Sequence, residues 1–336
     1  MKSIQFVIVF LLVFTRTGVW ANAKKCISPE MNISYRILDD EGNPVQGVKC
    51  SGWIRQFDAK GGGRSYALES DANGIVNIVG KCSVSFTAFF TKDGFYMSRL
   101  EPCLDADGTG SAIVDGRWQP YGETRTVILK RIKNPVRLRD PDERCCHKYP
   151  ESGEWAGFDL EVGDWVPPLG NGKCTDMMVR YTYEQQPNGY LKTLDVSFTN
   201  SPYAGAYLME KDLYSEMDSA YAALANGEYV SCLRYEFERS STGNHMISEL
   251  SHGQYLIFRV RTKVDANGKL DSAHYGRIMG EWRFVDKGGM MFGPLFFNPT
   301  PNDTNLEDAE TAQRSIKRRR QVIEREQRKR TTGAAK

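Results

Sequence analysis

The sequence is poor in the residues that most often carry chemistry. Its four histidines, His147, His245, His252 and His274, leave few candidates for a proton shuttle. No Gly-x-Ser-x-Gly elbow accompanies them to present a nucleophilic serine. Beyond the first residues there is no apolar run near the roughly 20 residues that a spanning helix needs, so no transmembrane segment is expected in the body of the chain. Excess charge of one sign is also missing overall, with 44 basic against 42 acidic residues, but the balance hides an asymmetry. Ten basic and two acidic residues fall in 314–336; setting Lys2 and Arg16 aside leaves 32 basic against 40 acidic in 24–313. An acidic body argues against general nucleic-acid binding, and no nucleic-acid partner is expected.

What is present begins with an export signal. Lys2 precedes an apolar run from Ile4 to Phe14 broken by Gln5, then come Arg16 and the small-x-small site Ala21-Asn22-Ala23. This is the layout of a cleavable leader over 1–23, and it predicts a secreted, periplasmic or cell-surface protein. Eight cysteines lie beyond it: Cys26, Cys50, Cys82 and Cys103, then Cys145, Cys146, Cys174 and Cys232. An even number in an exported chain favours disulfides, whose pairing spacing alone does not give. The remaining length is enough for two cores without cross-links, so such bridges would be staples.

From 30 to 133 the pattern is that of a small antiparallel β-domain. Ile33, Tyr35 and Ile37 alternate with polar residues, and Asp39 to Pro44 supplies a turn before the extended run Val45 to Ile54. Asp71-Ala72-Asn73-Gly74 is a tight turn ahead of Ile75, Val76 and Ile78. Val84, Phe86, Ala88 and Phe90 keep a period of two, Thr124 to Ile132 forms a last strand, and Asn134-Pro135 closes the unit. Short strands at such intervals indicate a β-sandwich. The segments Asp40-Glu41-Gly42-Asn43-Pro44-Val45-Gln46-Gly47-Val48, Asp71-Ala72-Asn73-Gly74-Ile75-Val76 and Lys92-Asp93-Gly94-Phe95-Tyr96 carry a resemblance. They are similar to the turns of the carboxypeptidase-regulatory-like (prealbumin-like, transthyretin-like) β-sandwich. That resemblance covers about a third of the chain, implies a non-catalytic accessory module, and transfers no functional residue.

A second β-rich domain is expected over 136–307. Strands are predicted over Met178 to Glu184, Leu191 to Phe198, Val230 to Arg239, Gln254 to Val264 and His274 to Val285, with hairpin turns at Asn188-Gly189 and Asn267-Gly268. Only Lys211 to Asn226 has helix-like spacing, through Leu213, Met217, Tyr221 and Leu224, and predicts one short helix or an ordered loop. The tail, 308–336, is charged and partly helical, with too few apolar residues for a continuous buried stripe, and reads as a solvated extension. The expected architecture is therefore mostly β: a prealbumin-like sandwich, a second antiparallel β-rich domain, and a basic, partly helical tail.

Each candidate for chemistry has a plainer explanation. Asp159, Glu161 and Asp164 suggest the paired carboxylates of a glycosidase, yet on a strand Asp159 and Glu161 sit on one face, too close together to straddle a sugar bond alone. Cys145-Cys146-His147 with Cys174 offers soft metal ligands but lacks the two-residue spacer of a tetrahedral site, and disulfides explain it better. Asp105-Ala106-Asp107-Gly108-Thr109-Gly110 opens like a calcium loop, but Gly116 stands where the closing glutamate belongs. Trp53, Trp118, Trp155, Trp165 and Trp282 fill cores or stack on a sugar or protein partner. Lys317-Arg318-Arg319-Arg320 with Arg325, Arg328, Lys329 and Arg330 would suit an anionic surface or the acidic body of a neighbouring copy. No catalytic, metal or cofactor site is assigned. The leading reading is an exported, non-enzymatic protein presenting a β-surface to a glycan or protein partner. The alternative is a secreted carbohydrate-active hydrolase using Asp159, Glu161 and Asp164.

Overall fold

The computed structural model describes residues 28–333, apart from 57–61, 107, 141–145, 149–152, 200, 241–242, 248–252, 281–282, 286–288 and 292. The expected leader, Cys26, Asp107, Cys145, His252 and Trp282 lie outside the described residues, as do the side chains of Cys146, His147, His245, Lys329 and Arg330.

The first half forms β1 (Glu30–Asp39), β2 (Lys49–Gln56), β3 (Gly62–Glu69), β4 (Ile75–Lys81), β5 (Phe86–Thr91), β6 (Ser98–Leu100), β7 (Ile113–Val114), β8 (Arg117–Trp118) and β9 (Glu123–Leu129). The turns form where Asx-Gly chemistry places them. Asp39 accepts the backbone N–H groups of Glu41 and Asn43 (3.1 and 2.8 Å). Asp71 does the same for Asn73 and Ile75 (2.9 and 2.8 Å), while Gly74 takes a φ of +73° that an L side chain resists. One sheet has the order β4-β1 with β9 on the other side of β1 and β8-β7 at its start; the facing sheet is β3-β2-β5-β6. Between them lies a core that includes Ile33, Tyr35, Ile37, Ile78, Val127 and Leu129 against Cys50, Ile54, Phe86, Ala88 and Phe90. The Tyr35 and Phe90 rings meet edge-on at 5.3 Å, and each large apolar side chain buried here contributes about 1.5–3 kcal/mol. At Gly52 the strands approach so closely that a Cβ would stand 1.8 Å from the Thr87 carbonyl oxygen.

The pairing of β1 with β9 is parallel, from Ile33 opposite Glu123 to Asp39 opposite Leu129, although the sequence reads as antiparallel throughout. Alternation fixes which face a residue takes, not which way its neighbour runs. The chain crosses the facing sheet before β9, so it returns along β1 in the same direction.

The second half forms β10 (Cys146–Lys148), β11 (Trp155–Asp159), β12 (Asp164–Trp165), β13 (Met177–Gln186), β14 (Gly189–Ser197), β15 (Gly205–Glu210), β16 (Cys232–Ser240), β17 (Gly243–Ile247), β18 (Gln254–Val264), β19 (Leu270–Met279), β20 (Arg283–Val285), β21 (Gly289–Met291) and β22 (Leu295–Phe297). A six-stranded sheet, β12-β11-β13-β14-β16-β17, packs on a four-stranded one, β15-β18-β19-β22; β10, β21 and β20 make a small third sheet. The core between the two larger sheets holds Phe158, Val179, Leu194 and Tyr235 against Leu256, Phe258, Ile278 and Phe297. The four-stranded sheet is covered on its other face as well, where Tyr255, Ile257, Tyr275 and Phe296 pack with Leu138 and Leu306. Burial on both faces explains the near-continuous apolar run of β18. Asn188-Gly189 and Asn267-Gly268 make the expected hairpins, whereas the strand expected over His274 to Val285 breaks after Met279 at Gly280, with φ at +114°. Lys211 to Asn226 takes the ordered-loop form: Met217 is buried, but Leu213 and Leu224 are 65% and 57% exposed and share no face with it.

The charged tail is a helix, α1 (Ala309–Gly333), and its first half is docked rather than solvated. Asp308 caps it, accepting from the Thr311 N–H and hydroxyl at 2.7 and 2.9 Å. Ala312, Ser315 and Arg319, at helical spacing, are buried. Ser315 Oγ accepts the Met97 N–H (2.9 Å), and Arg319 donates to the Lys92 carbonyl (2.9 Å) and pairs with Asp93 (3.1 Å). The buried stripe is built from small and charged residues, so hydropathy does not reveal it. The halves are further joined by Tyr96 Oη donating to Glu307 (3.0 Å) and Lys130 Nζ donating to the Met217 and Ser219 carbonyls (2.9 and 3.1 Å).

The expected disulfides do not appear among the described residues. Cys50, Cys82, Cys103, Cys174 and Cys232 are free thiols. Cys50 points between the two sheets of the first sandwich, among apolar side chains, and burial pushes its thiol up to about 12.

Candidate functional site

Two of the three carboxylates singled out in the sequence, Asp159 and Glu161, converge on a cation together with Asp176, which is not singled out there, instead of facing each other across a cleft. Arg261 sits at a β-bulge between β18 and β19 with φ at +52°, and this turns its side chain toward the loops after β11. Its guanidinium donates to Asp176 (2.8 and 3.0 Å) and Asp159 (3.0 Å), pairs with Glu161, and lies over the Phe297 ring at 4.7 Å. Asp159 also accepts the backbone N–H groups of Glu161 (2.9 Å), Val162 (3.1 Å), Lys173 (2.7 Å) and Cys174 (3.0 Å). Burial pushes its carboxyl up, but the N–H donors of Lys173, Cys174 and Val162, together with Arg261, outweigh this and hold it below the usual range. A carboxylate with its acceptor sites so fully used is poorly placed to exchange a proton. Asp164 is committed too, accepting the Trp165 and Asn171 N–H groups at 2.8 and 2.9 Å and so shaping the Pro167 to Gly172 loop. The neighbouring cavity, about 340 Å³, is lined by Arg139, Asp159, Glu161, Val162, Lys173, Cys174 and Arg261, with no aromatic ring among the described residues.

The other singled-out residues are dispersed. Asp105 accepts the Gly110 N–H at 2.9 Å as a turn former, and Cys174 is exposed. His274 stacks on Phe297 at 5.6 Å, and burial, then Arg261, lowers its ring pKa. Trp118 and Trp165 are in cores, where Trp118 Nε1 donates to the Cys82 carbonyl (2.8 Å) and Trp165 meets Phe158 edge-on at 5.2 Å. Trp53 and Trp155 are 44% and 41% exposed.

Trp155 stands in a built setting. It is directly opposite Arg180, which is opposite Asp195, which is opposite Arg234, so four side chains from β11, β13, β14 and β16 form one row across the outer face of the six-stranded sheet. At the usual strand spacing the row spans about 14 Å. Arg180 lies over the indole at 4.8 Å and pairs with Asp195 (2.8 Å); Arg234 reaches Asp195 (3.5 Å) and Glu236 (2.8 Å). Thr182, Thr193 and Ser197 flank the row with short polar side chains. Ion pairing orients the planar groups of Arg180, Asp195 and Arg234 along the row. Neither Arg180, Asp195 nor Arg234 is singled out in the sequence; the available signal is that all three, like Trp155, occupy outward positions of alternating strands.

The fold and this surface define a multi-sheet β-sandwich protein with a polar and aromatic row on one exposed sheet face. No protein-family model matches the chain, and no curated protein matches it. Among solved structures, it is similar to 3-chlorocatechol 1,2-dioxygenase from Rhodococcus opacus at 11% identity and a TM-score of 0.25, over 31% of this chain and 61% of that one. A streptococcal ancillary pilin matches at 9% identity and a TM-score of 0.21, over 84% and 62% of the two chains. The full-length major pilin SpaD from Corynebacterium diphtheriae matches at 11% identity and a TM-score of 0.23, over 84% of each. The chain spans 54% to 61% of the length of three 1,2-dioxygenases among its matches. Scores this low assign neither a family nor an activity. Among the described residues no helix is long and apolar enough to cross a membrane.

Proposed function

We propose that the chain is an exported, non-enzymatic binding protein whose Trp155 face takes a glycan, with the first sandwich serving as an accessory module of the carboxypeptidase-regulatory-like kind. The observation that carries this reading is the row of Trp155, Arg180, Asp195 and Arg234 on one exposed sheet face. An indole offers a stacking surface for the C–H face of a sugar ring, and fixed carboxylate and guanidinium groups offer acceptors and donors to its hydroxyls. The commitment of Asp159, Glu161 and Asp164 to Arg261 and to backbone N–H groups supports binding over hydrolysis. A glycan array followed by titration calorimetry on the purified chain tests the reading. Binding of at least one glycan class is expected, weakened about tenfold or more in Trp155→Ala, which corresponds to about 1.4 kcal/mol. Absence of glycan binding, or a variant that binds as tightly as the parent, overturns it.

A further inference from the structure

A second candidate site lies where β19, the 211–226 loop and α1 meet. It is a cavity of about 270 Å³, and Arg277, Glu216, Asp218, Ser215, Thr311 and Arg314 are among its walls. At about 30 Å³ per water, that volume holds about nine waters or one molecule the size of an acidic monosaccharide.

Arg277 is the unusual wall. Its side chain is only 2% exposed and lies over the Phe296 ring at 4.3 Å, yet Nε and Nη1 have no acceptor among the described residues. Asp218 and Asp308 are near enough to act on it electrostatically, but neither makes an ion pair with it. A buried guanidinium with unpaired donors is costly, because it has lost its hydration and gained no hydrogen bonds in exchange. The same cavity lining carries a complementary deficit. Glu216 Oε1 accepts from Arg318 at 3.0 Å, while Oε2 is buried and receives no donor. Two residues in the wall of one cavity therefore carry an unpaired cationic donor and an unpaired anionic acceptor, both closed off from water.

From this pairing of deficits we infer that the cavity binds a small carboxylic acid that also carries a hydrogen-bond donor, a hydroxy acid or an amino acid. The carboxylate is held by Arg277 and the hydroxyl or ammonium group by Glu216 Oε2. The guanidinium fork matches a carboxylate, and a dianion such as phosphate meets repulsion from Glu216 and Asp218. Arg314 and Arg318, also on the cavity wall, add positive potential that draws an anion in.

The site is distinct from the Trp155 face, so its test is independent of glycan stacking there. D-glucuronate, L-serine and D-glucose are titrated into the full chain by calorimetry, alongside thermal unfolding, for Trp155→Ala, which removes stacking on the sheet face, and for Arg277→Lys and Glu216→Gln made in that background. Glucuronate or serine is expected to bind and raise the melting temperature, with affinity down about tenfold or more when Arg277→Lys is added. Glu216→Gln separates the two sources: it weakens serine strongly, because an ammonium needs the charge, and glucuronate less, because the amide carbonyl still accepts from a hydroxyl. If Arg277→Lys does not fold, weakening in Glu216→Gln decides the matter. The inference is overturned if neither acid binds at millimolar concentration, if glucose binds as tightly as glucuronate, or if neither cavity variant changes affinity.

Discussion

Replacing Arg261 with alanine tests the reading of the Asp159, Glu161 and Asp176 cluster as structural. The substitution takes the cation from two carboxylates, Asp159 and Asp176, whose side chains are each 1% exposed; Asp159 keeps its backbone N–H donors, so the stranded charge is chiefly that of Asp176, which keeps the Leu160 N–H. Breaking a buried ion pair from one side costs about 3–5 kcal/mol. The Arg261 side chain is 20% exposed, so some water reaches the vacated site and the lower end, about 3 kcal/mol, is expected. The loss has a definite pH dependence. Burial already holds the Asp176 carboxyl above its usual range and Arg261 is the first group that opposes this, so removing the guanidinium raises it further; the penalty is full above the variant's folded pKa and disappears as pH falls through it. In Arg261→Ala the penalty is therefore largest at neutral pH and shrinks in acid, where protonation removes the stranded charge. Backbone strain adds a second handle. With φ at +52°, glycine fits where alanine does not, so Arg261→Gly should be about 1 kcal/mol less destabilised than Arg261→Ala. Urea unfolding followed by tryptophan fluorescence, which includes Trp165 in the adjacent core, measures all three. A loss below about 1 kcal/mol at neutral pH, or an equal loss in acid, refutes the reasoning.

Further outcomes follow from other parts of the molecule. Trp155→Ala should abolish or weaken glycan binding while costing no more than about 1 kcal/mol of urea stability, the worth of the Arg180 cation–π contact it removes; calorimetry and unfolding together check this. Arg319→Ala should release α1 from the first sandwich at a cost of about 1.5–3 kcal/mol, seen as faster hydrogen exchange along the helix and around Phe95. Gly52→Ala should disrupt the sandwich outright, because the contact with the Thr87 carbonyl has no flexible atom to yield; loss of the cooperative transition of that half is the readout. Cys50, with its thiol pushed up to about 12, should resist alkylation at mildly alkaline pH in the folded chain, while exposed Cys103, Cys174 and Cys232 react; peptide mass spectrometry distinguishes them.

Much of the fold was legible because it is encoded locally. The Asp71 to Gly74 turn, the Asn267-Gly268 hairpin and the alternation of Ile33, Tyr35 and Ile37 each depend on a few consecutive residues, whose backbone preferences and face assignments hold wherever the segment ends up. The candidate sites were only partly legible. Trp155 was visible as an aromatic, and Asp159 and Glu161 as a carboxylate pair, but what each would meet was not.

Tertiary structure alone decided those partners. Arg261 lies 85 to 102 residues along the chain from the carboxylates it holds, and Arg319 lies more than two hundred from the Lys92 carbonyl it bonds. Parallel β9, the docked face of α1 and the unpaired donors of Arg277 have the same origin. A strand's period specifies which side faces inward, and a turn specifies its own geometry. The partner of a charge is set by which distant segments the packed sheets bring within a few ångströms, and no short stretch of sequence carries that information.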